Sequence, residues 1–241
     1  MIVPYTQEEI WDLLEEKAKK NPGPQGFCQM YLDGRFCDQG SNLVVAGGRE
    51  YVAQRLFNVY PAGSSLPDVR DWLVGLFGVG AGGATCNANV IQLQGPTICD
   101  TGLYRAISLG NSEYLDDPIT YDETDILLDP YDIYKSVNVV KPVNWEPNGA
   151  IELIPVDYGS CTDQYTKVKL TCIVPSGEPS GLPAGGTVPI SEAGLYFAEQ
   201  IAGSPEEWSD SVPARMFAHI TFAPKWKELE SEFRILWYII I

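Results

Sequence analysis

In "FGVGAGGAT", residues 77 to 85, Gly78, Gly80 and Gly83 fit the spacing G-x-G-x-x-G, with Gly82 beside them. That spacing serves a dinucleotide under three conditions. A strand precedes it, a helix opens after it with its N-terminus toward the pyrophosphate, and an acidic ribose ligand follows about 20 residues on. The apolar run before Gly78 suits the first condition, and Asp100 falls near the position of the third. The second fails, because "ATCNANVIQLQGPTIC" is β-branched, contains Asn and is broken at Pro96. No alternation of strands and helices follows to build a parallel sheet. The glycines are therefore expected to form a turn that lets backbones approach closely, with no nucleotide and no other cofactor.

The single histidine, His219, is the one candidate for an imidazole general base or metal ligand, and it lies inside the strand-like run "RMFAHITF". Alternation there places Met216, Ala218, Ile220 and Phe222 on one face and Phe217, His219 and Thr221 on the other. One histidine cannot supply a multi-histidine metal site, so a packed or interfacial role is expected. Glu192 in "ISEAGLYF" is flanked by apolar strand residues and followed by Gly194. A carboxylate so placed is expected to anchor a bend by accepting hydrogen bonds from backbone amides, in preference to acting as a general acid. Asp116, Asp117, Asp122, Glu123 and Asp125 crowd one acidic stretch but lack the alternating ligands, central Gly and closing Glu of a calcium loop. Six cysteines, at 28, 37, 86, 99, 161 and 172, include no C-x-x-C pair, so no zinc site is expected and buried free thiols are. Cys161 and Cys172 could pair across neighbouring strands. No catalytic set assembles, and no enzyme is expected.

These residues need elements to place them. Thr6 and Glu9 form a capping box, and Ile10, Leu13, Leu14 and Ala18 make an apolar stripe at helical spacing, so a helix opens the chain until "NPGPQG" stops it. "QGFCQMYLDGRFC" predicts a hairpin turning on Asp33-Gly34, and "REYVAQRLFNVY", residues 49 to 60, a second short helix. Residues 111 to 133 form an acidic loop. From residue 135 onward, runs such as "YTKVKLTCIVP", "TVPISEAGLYFAE", "ARMFAHITFAP" and "EFRILWYIII" are of strand length and separated by Gly, Pro, Asn or Asp. The last has both faces apolar, so it must be central in its sheet or covered on both sides.

The expected fold class is mainly β (α+β). An antiparallel β-sandwich body over residues 75–241 is joined by a 1–74 helical and hairpin region, packing on the body or on a neighbouring subunit. The region holds an N-terminal amphipathic helix, with one or two further short helices in the chain. Thirty-two Asp and Glu against 16 Lys and Arg give a net charge of -16, a sign that repels nucleic acid and anionic membranes. No export leader is evident, so the chain is expected to stay in the cytoplasm in which it is made and not to be secreted.

In order, "FGVGAGGAT", Pro96, "CDTGLYRAI", "KVKLTCIVP", "ISEAGLYF" and "MFAHITFAPKWKELESEFRILWYI" resemble the layout of virion proteins of tailed bacteriophages. The likeness is to tail-collar fibre attachment domains and related baseplate or neck components, and covers residues 75 to 241. It implies structural positions only: Gly78, Gly80, Gly82, Gly83, Ile190, Glu192, Gly194, Leu195, Tyr196, Phe222, Pro224 and Lys225. The insertion at residues 198 to 215, and a chain that ends where a fibre would continue, favour an adaptor or structural subunit over a fibre. The resemblance implies a homo-oligomer located in the virion, in the tail, baseplate or neck, that binds other virion proteins. Ile10, Leu13, Leu14, Trp237, Tyr238, Ile239, Ile240 and Ile241 are the candidate interface. Two other expectations are a carbohydrate- or receptor-binding module using Trp208 and Trp226, and a capsid decoration protein.

Overall fold

A computed structural model describes residues 3–21, 23–46, 48–49, 51–52, 72–87, 90–100, 103–107, 109, 141–142, 149–154, 165–179, 185–199 and 214–241. Helix α1 (Gln7–Lys20) begins with the expected box: the Glu9 amide donates to Thr6 Oγ1 at 3.2 Å and the Thr6 amide to Glu9 Oε2 at 2.7 Å. Two orphan donors of the first turn are thereby satisfied. Strands β1 (Gln25–Leu32) and β2 (Arg35–Val44) form the hairpin, with Asp33 and Gly34 both at positive φ, 49° and 72°. Those angles are what a two-residue turn with the twist of the flanking strands requires.

The apolar run before the glycines is β3 (Trp72–Gly80), followed by a small hairpin, β4 (Ala84–Asn87) and β5 (Val90–Leu93). Later come β6 (Lys141–Pro142), β7 (Gly149–Ile154), β8 (Lys167–Val174), β9 (Thr187–Glu199), β10 (Arg215–Glu228) and β11 (Phe233–Ile240). Apart from β4–β5, all join one antiparallel sheet in the order β6-β3-β9-β10-β2-β1-β11-β8-β7. The N-terminal hairpin thus lies between β10 and β11, so residues 1–74 supply central strands of the body.

The sheet is curled. Phe222 of β10 and Phe233 of β11 stack with ring centroids 6.2 Å apart, although β2 and β1 lie between their strands. In a flat sheet, strands three places apart stand about 14 Å from each other. The concave face closes on one core containing Phe77, Ile190, Leu195, Phe197, Ile220, Phe222, Ile235, Trp237 and Ile239. On the convex side, α1 lays Ile10, Trp11, Leu14 and Ala18 against Phe27, Tyr238 and Ile240. Strand β11 is therefore central and covered on both faces, as its sequence requires. The candidate interface residues Ile10, Leu14, Trp237, Tyr238, Ile239 and Ile240 are buried within the chain, Leu13 is half-buried, and Ile241 is exposed.

Two departures have local causes. Strict alternation along β10 fails at a bulge: Met216 pairs with Tyr196 and Ala218 with Leu195, leaving Phe217 as the extra residue. Phe217 consequently turns into the concave core with Ala218, Ile220 and Phe222, while Met216 joins a convex cluster with Leu76, Leu103, Ala106 and Tyr196. A second irregularity between Thr221 and Lys225 accommodates Pro224, which has no amide proton for the ladder. Within residues 49 to 60, where a second short helix is expected, Arg49, Tyr51 and Val52 are helical, as are Ala46 and Gly48 just before that range. The rest of residues 49 to 60, the acidic loop at 111 to 133, Cys161 and Trp208 lie outside the described residues. Cys28, Cys37, Cys99 and Cys172 are free thiols, with Cys28 and Cys172 buried.

Candidate functional site

Three of the residues with chemical potential meet on the convex face of β9 and β10. Gly194 pairs with His219 and Glu192 with Thr221, so Glu192 and His219 are diagonal neighbours on one face. Residues 95–100 and 103–107 cross above them: the Ala81 amide donates to the Arg105 carbonyl at 2.8 Å and the Ile107 amide to the Val79 carbonyl at 2.9 Å. Within the first of these stretches, Thr97 gives its amide and hydroxyl to Asp100 at 2.9 and 2.6 Å, fixing the carboxylate in a tight turn.

His219 bridges two carboxylates. Its Nδ1 lies 2.7 Å from Asp100 Oδ2 and its Nε2 3.1 Å from Glu192 Oε2. Glu192 and His219 side chains are fully buried, and that of Asp100 is 7% exposed. A neutral imidazole would turn a lone pair toward one of these oxygens, so the arrangement fits the doubly protonated ring. Burial alone pushes the imidazole pKa down, but the hydrogen bonds and charges of Asp100 and Glu192 outweigh it and raise the value. Burial likewise pushes Asp100 up, and the bonds from His219 and Thr97 overcome that to hold it at about 2. The Tyr104 ring meets the imidazole edge-on at 4.9 Å, and its hydroxyl is 3.0 Å from Asp100 Oδ2. Burial, followed by the hydrogen bond to Asp100, moves that phenol to about 12.

Glu192 accepts four hydrogen bonds. The amides of Gly82 and Arg105 each donate to Oε1 at 2.8 Å, and the Tyr104 amide donates to Oε2 at 2.9 Å beside His219. The glycine turn does face an anion, and the anion is the chain's own carboxylate. This explains the residue types in the turn. A Cβ on Gly80 would lie 2.4 Å from Glu192 Oε1, on Gly82 2.6 Å from the Arg105 amide, and on Gly83 2.1 Å from the Ser191 carbonyl. Real side chains do not approach so closely, so these positions require glycine for access.

The other motif positions are distributed along the same two strands and their neighbours. Gly78 pairs with Gly194, whose own missing Cβ makes room for the Tyr196 ring at 2.9 Å. Ile190, Leu195 and Phe222 enter the concave core and Tyr196 the convex cluster. Pro224 sits at the β10 irregularity, and Lys225 is paired with Asp38 of β2 at 2.7 Å. Asp100 and Tyr104 were not legible as partners of His219, because 119 residues separate Asp100 from it. The one local signal was the Thr97-to-Asp100 turn within "PTICD".

As chemistry, the centre is closed. Every oxygen of Glu192 and both nitrogens of His219 are engaged, with no lone pair free for a metal or a substrate proton. Among the described residues no cluster of His, Cys, Asp and Glu is disposed to hold a metal ion, and no helix is long and apolar enough to cross a membrane. Comparison of the chain with protein-family models, curated proteins and solved structures returned no match.

Proposed function

We propose that the chain is a structural protein of a tailed-phage virion, an adaptor of the tail, baseplate or neck that oligomerises and links neighbouring components. In this reading the curled sheet acts as a β-sandwich body, and the protein is not an enzyme. The observation that carries it is the use made of the motif residues. Glu192, His219 and the glycine turn, which could have served a substrate, are committed to holding one backbone layer on another. Motif order supports the phage assignment, and exposed apolar side chains supply contact surface: on β5, Val90 is 66% exposed and Ile91 and Leu93 52% each. Size-exclusion chromatography with light scattering, alone and with other virion proteins, tests the proposal. A ring-sized oligomer or a stable complex is expected; a monodisperse monomer that binds no virion protein overturns it.

A carbohydrate-binding role in host recognition is the second reading, favoured by Trp226, which is 58% exposed and free to stack on a sugar face. Glycan binding that disappears in Trp226→Ala would select it.

A further inference from the structure

Glu192 behaves as a ligand that happens to be tethered. Each of its oxygens receives two donors, the full set that a carboxylate oxygen takes in good geometry. Three of the four donors are backbone amides, from Gly82 in the glycine turn and from Tyr104 and Arg105 in the crossing segment. They belong to the fold and do not depend on which side chain stands at position 192. The fourth, His219 Nε2, is aimed by the Asp100 bond on the opposite side of the ring. Converging amides and a cationic imidazole in a dry setting form an anion site, because an unpaired donor there loses water without compensation.

We propose that the amides of Gly82, Tyr104 and Arg105 together with His219 Nε2 constitute a carboxylate-binding site, filled in cis by Glu192 and open to a small free monocarboxylate when that side chain is removed. The ligand class follows from atom counting. Glu192→Ala keeps Cβ and deletes Cγ, Cδ and both oxygens, the heavy-atom skeleton of acetate. Formate fills the same place less completely, and benzoate is too large for a volume bounded by the glycine turn and the Tyr104 ring.

The test is thermal unfolding of the Glu192→Ala protein in sodium acetate, formate, benzoate and chloride at matched ionic strength and pH. Acetate is expected to raise its melting temperature by about 3 °C or more once in roughly tenfold excess over its dissociation constant, through binding to the folded state alone. Formate should act more weakly, and chloride and benzoate should not. Equal shifts in the wild-type protein, or none specific to acetate, overturn the site. Should Glu192→Ala fold only when refolded in acetate, that dependence itself supports the site. Should it fold in no salt, Glu192→Gln decides: its amide turns a donor toward donors, so reduced stability and a lowered His219 titration midpoint are expected. Wild-type stability in that variant would show that the donors need no carboxylate.

Discussion

His219 is the only histidine in the chain, so its ring protons give one unobstructed signal for the charge network. Its pKa is raised above 6.5 by Asp100 and Glu192. An NMR titration should therefore find a midpoint above that value, falling in Asp100→Asn. The sign for stability follows from linkage. A raised folded-state value means the His219 contribution is complete below 6.5 and is lost as pH rises through the folded value. Asp100 runs the other way: its folded value of about 2 lies below 3.8, so its contribution is present above 3.8 and is lost as pH falls toward 2. Urea unfolding across pH 2 to 5 should show a steeper acid-side decline for wild type than for Asp100→Asn. Equal slopes would place the acid sensitivity elsewhere. Gly83→Ala should destabilise the protein by about 3 kcal/mol or more in the same assay, since its methyl would meet the Ser191 carbonyl.

At the level of elements, α1 and the turn after β10 are held by different physics. Leu14 is fully buried against β1 and β11, so Leu14→Ala should cost about 3 kcal/mol. Thr6→Ala, which removes only the cap, should cost about 1 kcal/mol. Chemical denaturation with both variants checks the ratio; near-equal losses would mean that α1 docks weakly. The turn at residues 229–232 is organised by Lys227, a fully buried ammonium that donates to the carbonyls of Glu178, Glu228 and Ser231 at 2.6, 3.1 and 2.7 Å. Burial pulls its pKa to about 8, against the carboxylates of Glu178, Asp33, Glu230 and Glu232. A depressed lysine releases its proton more readily when folded. Its linkage therefore raises stability as pH climbs from about 8 toward 10.5, opposing the loss at His219.

For the whole molecule, closure of the curled sheet buries Cys28 and Cys172 completely, and burial pushes both thiols well above 9.0. Alkylation of the native protein followed by mass mapping should leave these two unmodified while exposed Cys99 reacts. Labelling of Cys28 under native conditions would mean that the sheet opens between β1 and β11.

Local chemistry made much of this legible in advance. The Thr6 cap, the Asp33-Gly34 turn and the two apolar faces of β11 each depend on neighbours within a few residues or on strict alternation, whereas the amides that Glu192 binds come from Gly82, Tyr104 and Arg105, 87 to 110 positions away. Tertiary structure decided the rest. It inserted the N-terminal hairpin between β10 and β11, shifted Phe217 inward at a bulge, and supplied Asp100 and Tyr104 to His219 from a segment about a hundred residues away. Register and strand order are set by how the whole sheet closes around its core, and a single run of residues carries no record of which distant strand will lie beside it. The glycine spacing shows both sides of this. By itself it predicts close approach of backbones, and only the fold sets the chain's own Glu192 against that turn.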